Sequence, residues 1–423
     1  MRYFADALNN EQQSAGEIEK LQLAKFNKLI NYVRREIPFY AAKYLELPFE
    51  PLRSLEDLEK IPILTKEEIR TEGSSFVSNS TPRKYGRQVA TGGSTGVPLK
   101  VFHDRRFPTE ILGWRTLAWW RADPGENIAF IYRIQKRGWS WKLNQLIWFP
   151  TKRIFLDASL MSEDKMDSFQ KALEHIQPKI LQGYTGAVVE FAKHCEKNNY
   201  KIDGLDAIWV TSAPLVGSQR NFIERVLGAP VFDQYGCSEV FWLAAECSKQ
   251  HGLHIIADSR IIEFVDENKR RVPAGEYGDV LVTDLENYFF PLIRYRNEDR
   301  GRLSQRQCSC GVPFPLMESI KGRVSDVVRL KDGSSIAGEY LTTIFDDAPQ
   351  YIRGFQIYQD ANYDVELRCE IEQIDRAVDV CLQKTDDLRK LTENRLKITL
   401  KIVEDLQHDR GKVRFIISDA APP

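Results

Sequence analysis

Apolar and polar residues recur along the first part of this chain in patterns that predict helices. Apolar residues return at near-helical spacing over residues 17–37, which predicts an amphipathic helix that ends before Pro38. The charged segment 54–70 has a similar pattern, but Pro62 divides it into two short helical pieces. A Gly-rich turn at 90–104 follows, with a short apolar stretch before it.

The middle of the chain alternates between strand and helix patterns. Residues 163–176 and 186–198 predict amphipathic helices on either side of a buried strand at 180–184. The segment 206–240 then contains a strand, a helix that Gly228 ends, and a second strand. This order predicts a βαβ unit and therefore a parallel sheet.

The last third of the chain changes character. Beyond residue 255, short strands alternate with Gly and Pro turns, and the final segment combines strands with a helix at 372–390. We therefore expect an α/β fold with two unequal domains. Residues 1–322 form a large α/β domain with a parallel sheet and a β-rich subregion, and residues 323–423 form a small α+β domain.

Composition narrows the class of protein without naming its chemistry. The 423 residues are 43% hydrophobic and 28% charged, which is typical of a folded globular protein and excludes a disordered one. Lys and Arg total 59 against 60 for Asp and Glu, so the net charge of −1 favours no nucleic acid partner. No apolar run is long enough for a transmembrane helix, and the first ten residues predict no secretory signal. Seven cysteines, an odd number, favour a reducing cytoplasm over a disulfide framework.

The first chemical motif is the Gly-rich turn Thr91-Gly92-Gly93-Ser94-Thr95-Gly96. Glycines allow backbone N–H groups to approach an anion, and hydroxyls donate further hydrogen bonds, so the turn suits phosphate. It lacks the Gly-Lys-Ser/Thr ending of a Walker A loop. An ordinary turn is the alternative interpretation.

Three further motifs follow in order. Tyr235-Gly236-Cys237-Ser238-Glu239 comes after a predicted strand, and its carboxylate suits Mg²⁺. Asp299 lies between two arginines and suits the hydroxyls of a ribose, and Lys412 follows Gly411 near the C-terminal end. Taken singly, each motif also fits a loop salt bridge or a solvated face.

Together, in this order and spacing, the motifs resemble the adenylate-forming superfamily of acyl- and aryl-CoA synthetases. The branch that they resemble contains phenylacetate–CoA ligases, CapK-like proteins and coenzyme F390 synthetase-like proteins. The resemblance runs from IPFYAAKY and SLEDLEKIPILTKEEIR to Lys412, nearly the whole chain. It implies a two-step reaction in which a carboxylate attacks the α-phosphate of ATP and a nucleophile then displaces AMP.

The resemblance also implies roles for individual residues. Ser94 and Thr95 supply hydroxyls to the phosphate loop, Glu239 holds Mg²⁺, and Asp299 binds the ribose. Arg323, with Asp326, belongs to the hinge between the domains. The implied catalytic residues are Lys412, Glu239 and Thr95. The implied nucleotide-binding residues are Thr91, Gly92, Gly93, Ser94, Thr95, Gly96, Ala213, Pro214, Tyr235, Gly236, Ser238, Glu239, Asp299 and Arg323.

Some positions depart from the family pattern. Gly92 replaces a small hydroxyl residue, and Leu99 follows the loop proline where relatives often have Lys or Thr. The family's Thr-Gly-Asp run at the ribose site is Asn297-Glu298-Asp299 here, so only the aspartate is retained. These departures concern local loop geometry and leave the reaction class unchanged.

The resemblance places Tyr184 and Gly236 at the acyl substrate, and nearby aromatic residues favour an aryl or arylacetic acid. The expected cofactors are ATP and Mg²⁺, and the expected acceptor is CoA, which gives an acyl-CoA thioester. One alternative acceptor is an amine of an amino acid or amino sugar, as in polysaccharide or natural-product biosynthesis. A carrier-protein thiol and nucleotide binding without catalysis are further alternatives. A homodimer is left open.

Cys247, His254, Cys308 and Cys310 supply three thiolates and one imidazole, the ligand set of a tetrahedral structural zinc site. Similar proteins of the phenylacetate ligase branch carry zinc ligands in these two segments. His251 competes with His254 for the fourth position. The alternative is a set of unrelated reduced cysteines in loops.

Six of the eight tryptophans fall within 35 residues, at 114, 119, 120, 139, 141 and 148, beside several Lys and Arg residues. They fit an acyl-pocket wall with a basic rim, a membrane-surface patch, or an aromatic core with solvated cations. His103, His175 and His194 stand apart from the motifs, and we expect packed or solvated roles for them.

Overall fold

The computed structural model describes most of the chain. The described residues are 2–47, 50–90, 99–132, 148–158, 161–318, 320, 322–323, 327–332, 335–337, 341, 343–345, 351–372, 374–392, 394–404, 406, 408–409, 412–413 and 415–421. In these residues no helix combines the length and the apolar character that crossing a membrane requires.

The chain divides into two compact units, each made of two stretches of sequence. The first unit contains Met1–Trp119 and Gln234–Ile320, and the second contains Trp120–Asp233 and Lys321–Pro423. One change of unit falls between Ile320 and Lys321, beside the domain boundary predicted at residue 322. That boundary stays a prediction.

Helices form the N-terminal part of the first unit. The longest helix is capped by Ser14. The Ser14 hydroxyl accepts a hydrogen bond from the Glu17 amide, and the Glu17 carboxylate accepts one from the Ser14 amide, which together form a capping box. Phe26, Leu29 and Val33 lie fully buried on its inner face, as the helical spacing predicts. The helices are α1 (Arg2–Asn10), α2 (Ala15–Glu36), α3 (Pro38–Lys43), α4 (Lys66–Glu72) and α5 (Glu110–Trp119).

Antiparallel strands complete the first unit. β1 (Gly86–Ala90) pairs antiparallel with β2 (Lys100–Asp104), and the Gly-rich motif lies between them in the sequence. Residues 91–98 themselves lie outside the described residues. The other strands are β8 (Ala244–Glu246), β9 (Leu253–Ile255), β10 (Arg260–Val265), β11 (Gly278–Asp284), β12 (Tyr295–Gly301) and β13 (Leu316–Met317). β11 pairs with β10 and β12, and β9 pairs with β8 and β13.

The second unit contains the predicted parallel strands. Their order is β4-β3-β5-β6, and all three pairings are parallel. The strands are β3 (Ile128–Tyr132), β4 (Arg153–Asp157), β5 (Ile180–Tyr184) and β6 (Ala207–Thr211). The helices are α6 (Glu163–Ile176), α7 (Thr185–Lys197) and α8 (Gly217–Leu227). Gly228 ends α8 at a φ of +71°, a left-handed conformation that glycine adopts without strain. β7 (Val231–Tyr235) follows α8, so the strand–helix–strand order is confirmed.

The end of the chain builds a mixed sheet within the second unit. Its strand order is β19-β18-β17-β22, with the helix α9 (Ala377–Leu391) beside it. The strands are β17 (Ile352–Gln359), β18 (Val365–Ile371), β19 (Ile398–Ile402) and β22 (Ile416–Ser418). This stretch of sequence also contains two short antiparallel pairs, β15 (Val327–Arg329) with β16 (Ser335–Ala337) and β20 (His408–Asp409) with β21 (Lys412–Val413). The short strand β14 (Gly322–Arg323) comes before them in the sequence. The predicted α/β class is confirmed.

Candidate active site and thiol cluster

The ribose-site prediction falls on an irregularity in the first unit's sheet. Between the paired positions Arg296 and Arg300 of β12, three residues stand opposite the single residue Val280 of β11. Such a bulge breaks the strict alternation of a strand and re-aims its side chains. Asn297 and Asp299 both contact the Tyr235 hydroxyl from this bulge.

Asp299, Tyr235 and Asn297 are joined to one another by hydrogen bonds. The Tyr235 hydroxyl donates to Asp299 Oδ2 at 2.8 Å, and the Asn297 amide donates to the same oxygen at 3.0 Å. Asn297 also donates to the Tyr235 oxygen at 2.6 Å. Burial and the neighbouring Asp299 charge raise the pKa of Tyr235, so the phenol keeps its proton and remains a donor. We name Tyr235, Asn297 and Asp299 the ribose cluster.

Glu239 is held next to this cluster by a second tyrosine. Its carboxylate is only 6% exposed and accepts a hydrogen bond from the Tyr295 hydroxyl at 2.9 Å. Burial and the Glu239 charge raise the pKa of Tyr295, which therefore stays a donor as well. Because the buried carboxylate has oxygen lone pairs to offer, it fits the chemistry of a Mg²⁺ ligand.

The turn that carries Glu239 is tied down on its backbone. The Cys237 amide donates to the Val240 carbonyl at 3.1 Å, and the His103 ring nitrogen Nε2 lies 2.9 Å from the Ser238 carbonyl oxygen. Because a carbonyl only accepts, His103 must donate from Nε2. Its ring also stacks on Phe241, with centroids 4.3 Å apart. Burial lowers the pKa of His103, which favours the neutral ring.

Gly236 has a steric reason to be glycine. A Cβ at this position would lie 2.8 Å from the Gln234 side-chain nitrogen and 3.2 Å from the Trp242 amide. The first distance is shorter than real Cβ contacts, so a larger residue would displace the Gln234 side chain and fit tightly against the Trp242 backbone.

The second unit brings other predicted positions to the carboxyl ends of its parallel strands. Tyr184 ends β5 and lies directly opposite Thr211, the last residue of β6. The Thr185 hydroxyl donates to the Thr211 and Ala213 carbonyls, at 3.2 Å and 2.9 Å, which fixes the turn that continues into Pro214. Ligands of open α/β sheets bind beyond this edge of the strands.

Tyr184 also lies against an aromatic neighbour. Its ring meets Tyr132, the last residue of β3, edge to face at a centroid distance of 4.7 Å. Gly183 lets these elements approach, because a Cβ there would lie 2.7 Å from a Val188 methyl group. The carboxyl ends of β3 and β5 therefore bring two aromatic rings together, and the role of Tyr184 at the acyl group stays a prediction.

The remaining motif positions are described in part or not at all. Thr91, Gly92, Gly93, Ser94, Thr95, Gly96 and Asp326 lie outside the described residues. Arg323 and Lys412 are described in their backbone alone, and Lys412 pairs with Asp409 in a short antiparallel hairpin. The roles predicted for these residues stay predictions. Of the tryptophan-rich stretch, residues 133–147 lie outside the described residues as well.

The four predicted zinc ligands converge in the first unit. One ligand atom of each of Cys247, His254, Cys308 and Cys310 lies within 4.8 Å of all the others. We name these residues the thiol cluster. The Cys247 and Cys308 sulfurs are 3.5 Å apart, and Cys310 Sγ is 3.3 Å from His254 Nε2. These separations suit ligands about 2.0–2.3 Å from a shared tetrahedral ion.

Pairing of strands decides which histidine joins the cluster. His254 lies inside β9, between β8 and β13, whereas His251 is exposed in the turn before β9. His254 Nδ1 lies 3.0 Å from the Phe314 carbonyl oxygen, so Nδ1 carries the proton and Nε2 is free to bind a metal. Trp119 meets the His254 ring edge to face.

The cluster sulfurs also accept backbone hydrogen bonds. The Lys249 amide donates to Cys247 Sγ and the Val312 amide donates to Cys310 Sγ, both at 3.4 Å. Burial raises the pKa of Cys247 to about 12, which favours the neutral thiol when no cation is near. The donor set and its spacing fit zinc.

Sequence reasoning missed three residues of the candidate site. Tyr295 and Asn297 belong to no quoted motif position with a role, yet they hold Glu239 and Asp299. His103 is buried, as expected of a packed histidine, but its contact with the Ser238 carbonyl joins β2 to the Glu239 turn. Tyr295 and Asn297 could have been suspected from the sequence, because they lie on the same strand as Asp299.

Comparison with known proteins finds similar chains among the phenylacetate–coenzyme A ligases. The phenylacetate–coenzyme A ligase of Thermus thermophilus is 24% identical, over 84% of this chain and 82% of the relative. The enzyme of the same name from Escherichia coli is 26% identical over 76% of this chain and 74% of the relative. Protein CapK of Staphylococcus aureus is 22% identical over 69% of this chain and 64% of the relative. No family profile matches the chain.

Among solved structures, 2-hydroxyisobutyryl-CoA ligase in its postadenylation state superposes with a TM-score of 0.77. The match covers 97% of this chain and 91% of that one at 21% identity. The chain has the fold of the adenylate-forming ligases. The resemblance to phenylacetate–CoA ligases and CapK, predicted from the motifs, is confirmed.

Proposed function

We propose that this adenylate-forming protein activates a carboxylic acid with ATP and transfers the acyl group to CoA. The observation that carries the proposal is its similarity to phenylacetate–CoA ligase over 84% of its length. The ribose cluster and Glu239 add support. Tyrosine hydroxyls donate hydrogen bonds to the carboxylates of Asp299 and Glu239, which the motif order predicts to lie at the nucleotide.

The reaction needs two displacements. In the first, a carboxylate oxygen of the acid bonds to the α-phosphorus of ATP, and the bond from that phosphorus to the pyrophosphate oxygen breaks. In the second, the CoA sulfur attacks the acyl carbon and AMP leaves. Both steps concentrate negative charge, so the protein must position reactants and offset that charge.

The described residues supply the positioning. Asp299 would accept the ribose hydroxyls, with its carboxylate oriented by Tyr235 and Asn297. Tyr235 and Gly236 would lie beside the adenine. Ala213 and Pro214 belong to the adenine pocket in the same proposal, and Ser238 belongs to the turn below it.

Charge compensation would come from Glu239 with Mg²⁺, from Lys412, and from the hydroxyls of Ser94 and Thr95. The ion would offset the charge of the phosphates when it is bound. Arg323 would act at the hinge. Tyr184 would contact the acyl group, and its pairing with Tyr132 favours an aryl or arylacetic acid.

A second candidate function keeps the adenylation and changes the acceptor. In this candidate the acyl group passes to an amine and forms an amide. The amide bond synthetase McbA from Marinactinospora thermotolerans also shares the fold, with a TM-score of 0.53 over 77% of this chain. The first half-reaction is the same in both proposals.

The thiol cluster completes the proposal as a closed structural zinc site. Four ligands from the protein leave no open position, so the ion would link the β8–β9 turn to the segment before β13. A cytoplasmic location belongs to this proposal, because a reducing compartment keeps the thiols available for metal.

One assay distinguishes the candidate functions. Acid-dependent exchange of pyrophosphate into ATP is expected with an arylacetic acid in the panel, and CoA is expected to give a thioester. Trapping as a hydroxamate without any thioester would favour the amine acceptor. Absence of acid-dependent exchange across the panel would contradict both.

A further inference from the structure

The motif PILTKEEIR lies against the bulge that carries Asp299, and no role assigned above explains it. The Leu64 amide donates to the Arg294 carbonyl at 3.0 Å, and the Arg296 amide donates to the Leu64 carbonyl at 2.9 Å. The motif therefore runs beside β12 as a short parallel partner. β11 pairs with β12 on the other side, so the motif supports β12 immediately before the strand becomes irregular.

The residue in the middle of the bulge adopts an unfavourable backbone conformation. Glu298 has a φ of +71°, the left-handed region that favours glycine. A glutamate stays there only when neighbouring contacts offset the strain. The conformation matters because it turns Asn297 and Asp299 toward Tyr235 while Glu298 points to another partner.

That partner is Lys66, the first residue of α4. Its ammonium forms an ion pair with the Glu298 carboxylate and lies 3.4 Å from the Asn297 carbonyl oxygen. The lysine side chain is 18% exposed and the glutamate 46%. One cation thus contacts two successive residues of the bulge.

Lys66 is itself held in place by the start of its helix. Thr65 and Glu68 form a capping box, in which the Glu68 amide donates to the Thr65 hydroxyl and the Thr65 amide donates to Glu68. Lys43 pairs with the same glutamate and donates to the Ile63 carbonyl at 3.1 Å. A lysine anchored on a capped helix can resist the relaxation of a strained turn better than one on a mobile loop.

We propose that Lys66 is a positioning residue for the nucleotide: by binding Glu298 and the Asn297 carbonyl, it holds the bulge in the shape that presents Asp299. The proposal rests on the function proposed above, because it assumes that Asp299 binds the ribose of ATP. Lys66 also offsets the Glu298 charge beside the Asp299 carboxylate, which would otherwise repel an anionic ligand.

The test combines removal of the lysine with relief of the strain. Lys66→Met is expected to raise the KM for ATP, and its Kd by calorimetry, roughly 5- to 20-fold with little change in kcat. Glu298→Gly is expected to stay within about twofold of the unaltered protein, because glycine adopts this φ freely. Lys66→Met/Glu298→Gly should then return to within about twofold of Glu298→Gly alone.

Lys60→Met is the matched control, because Lys60 pairs with Asp57 on an exposed turn and is 75% exposed. It should leave ATP binding unchanged. Unchanged ATP binding in Lys66→Met, or a double variant as impaired as Lys66→Met, would overturn the proposal. Circular dichroism should first show that each variant is folded.

A readout without nucleotide separates this inference from the proposed function. Amide hydrogen exchange over residues 297–300 should be faster in Lys66→Met and normal in the double variant. Equal exchange in all variants would overturn the positioning role even if ATP binds. If the exchange pattern is as expected but the unaltered protein binds no ATP, the positioning of the bulge stands and the proposed function fails.

Discussion

The ribose cluster and the thiol cluster lie in the same compact unit but organise their polar atoms in opposite ways. In the ribose cluster, phenol and amide donors satisfy Asp299 from one side, and Asp299 is itself partly exposed. In the thiol cluster, four ligand atoms converge on one another within 4.8 Å, and backbone groups hold them from behind. In the proposed function, the first arrangement would bind a ligand that comes and goes, and the second would surround a resident zinc ion.

The largest expected effect is on the use of ATP and should leave the zinc content unchanged. Asp299→Ala removes the proposed ribose acceptor and should reduce kcat/KM for ATP by about 100-fold or more, since a charged hydrogen-bond partner is lost. Zinc content should stay at that of the unaltered protein. The measurement is pyrophosphate exchange over a range of ATP concentrations, with metal analysis of the same sample. If Asp299→Ala lost both pyrophosphate exchange and zinc, the two clusters would not be independent of each other.

The next effect is on stability. His254→Ala should lose zinc and lower the free energy of unfolding by about 2–5 kcal/mol, comparable to removing a native cross-link. His251→Ala is the matched control, because this neighbouring histidine is exposed and outside the cluster. Metal analysis after dialysis and denaturant unfolding check both variants. Equal zinc content in the two variants would contradict the assignment.

A smaller effect tests the support of Glu239. Tyr295→Phe removes one hydroxyl and keeps the ring, so the carboxylate loses its 2.9 Å hydrogen bond while the packing is retained. We expect about a tenfold loss in kcat for adenylate formation, the scale of one hydrogen bond to a charged group. A titration with Mg²⁺ should show that the ion binds more weakly to this variant. An unchanged kcat at all Mg²⁺ concentrations would show that Tyr295 has no part in positioning.

The smallest expected effect concerns pH and His103. Because burial lowers the pKa of His103 in the folded protein, the stability that the neutral ring contributes is present above the unfolded pKa of about 6.5. It is lost as pH falls from there through the folded pKa. His103→Gln keeps a donor for the Ser238 carbonyl and cannot titrate. Its unfolding free energy should therefore fall less steeply below pH 6.5, as measured by denaturant unfolding. Parallel pH curves would contradict the role given to burial.

The two clusters also differ in how far the sequence predicts them. The thiol cluster was predicted residue by residue, because Cys and His are rare and their chemistry suggests a shared ion. His254 was predicted with His251 as a competitor, and the sequence could not decide between them because the choice depends on β9 pairing with β8 and β13. The helix α2 and the strand–helix–strand unit were predicted from local periodicity alone.

The ribose cluster was predicted at Asp299 and Tyr235 but not in its shape. The bulge exists only because β12 pairs with β11 in a shifted register, and a shifted register between distant segments leaves no local pattern. The positive φ of Glu298 and the contact with Lys66, far away in sequence, follow from that register. Asn297 and Tyr295 gained their roles in the same way.

The central claim is that this chain adenylates a carboxylic acid with Lys412 as the catalytic cation. The most direct measurement compares the unaltered protein with Lys412→Ala in both half-reactions. Acid-dependent pyrophosphate exchange should fall at least about 100-fold in Lys412→Ala, while transfer from a preformed acyl-adenylate to CoA should be retained. Exchange in Lys412→Ala at the rate of the unaltered protein would contradict the account.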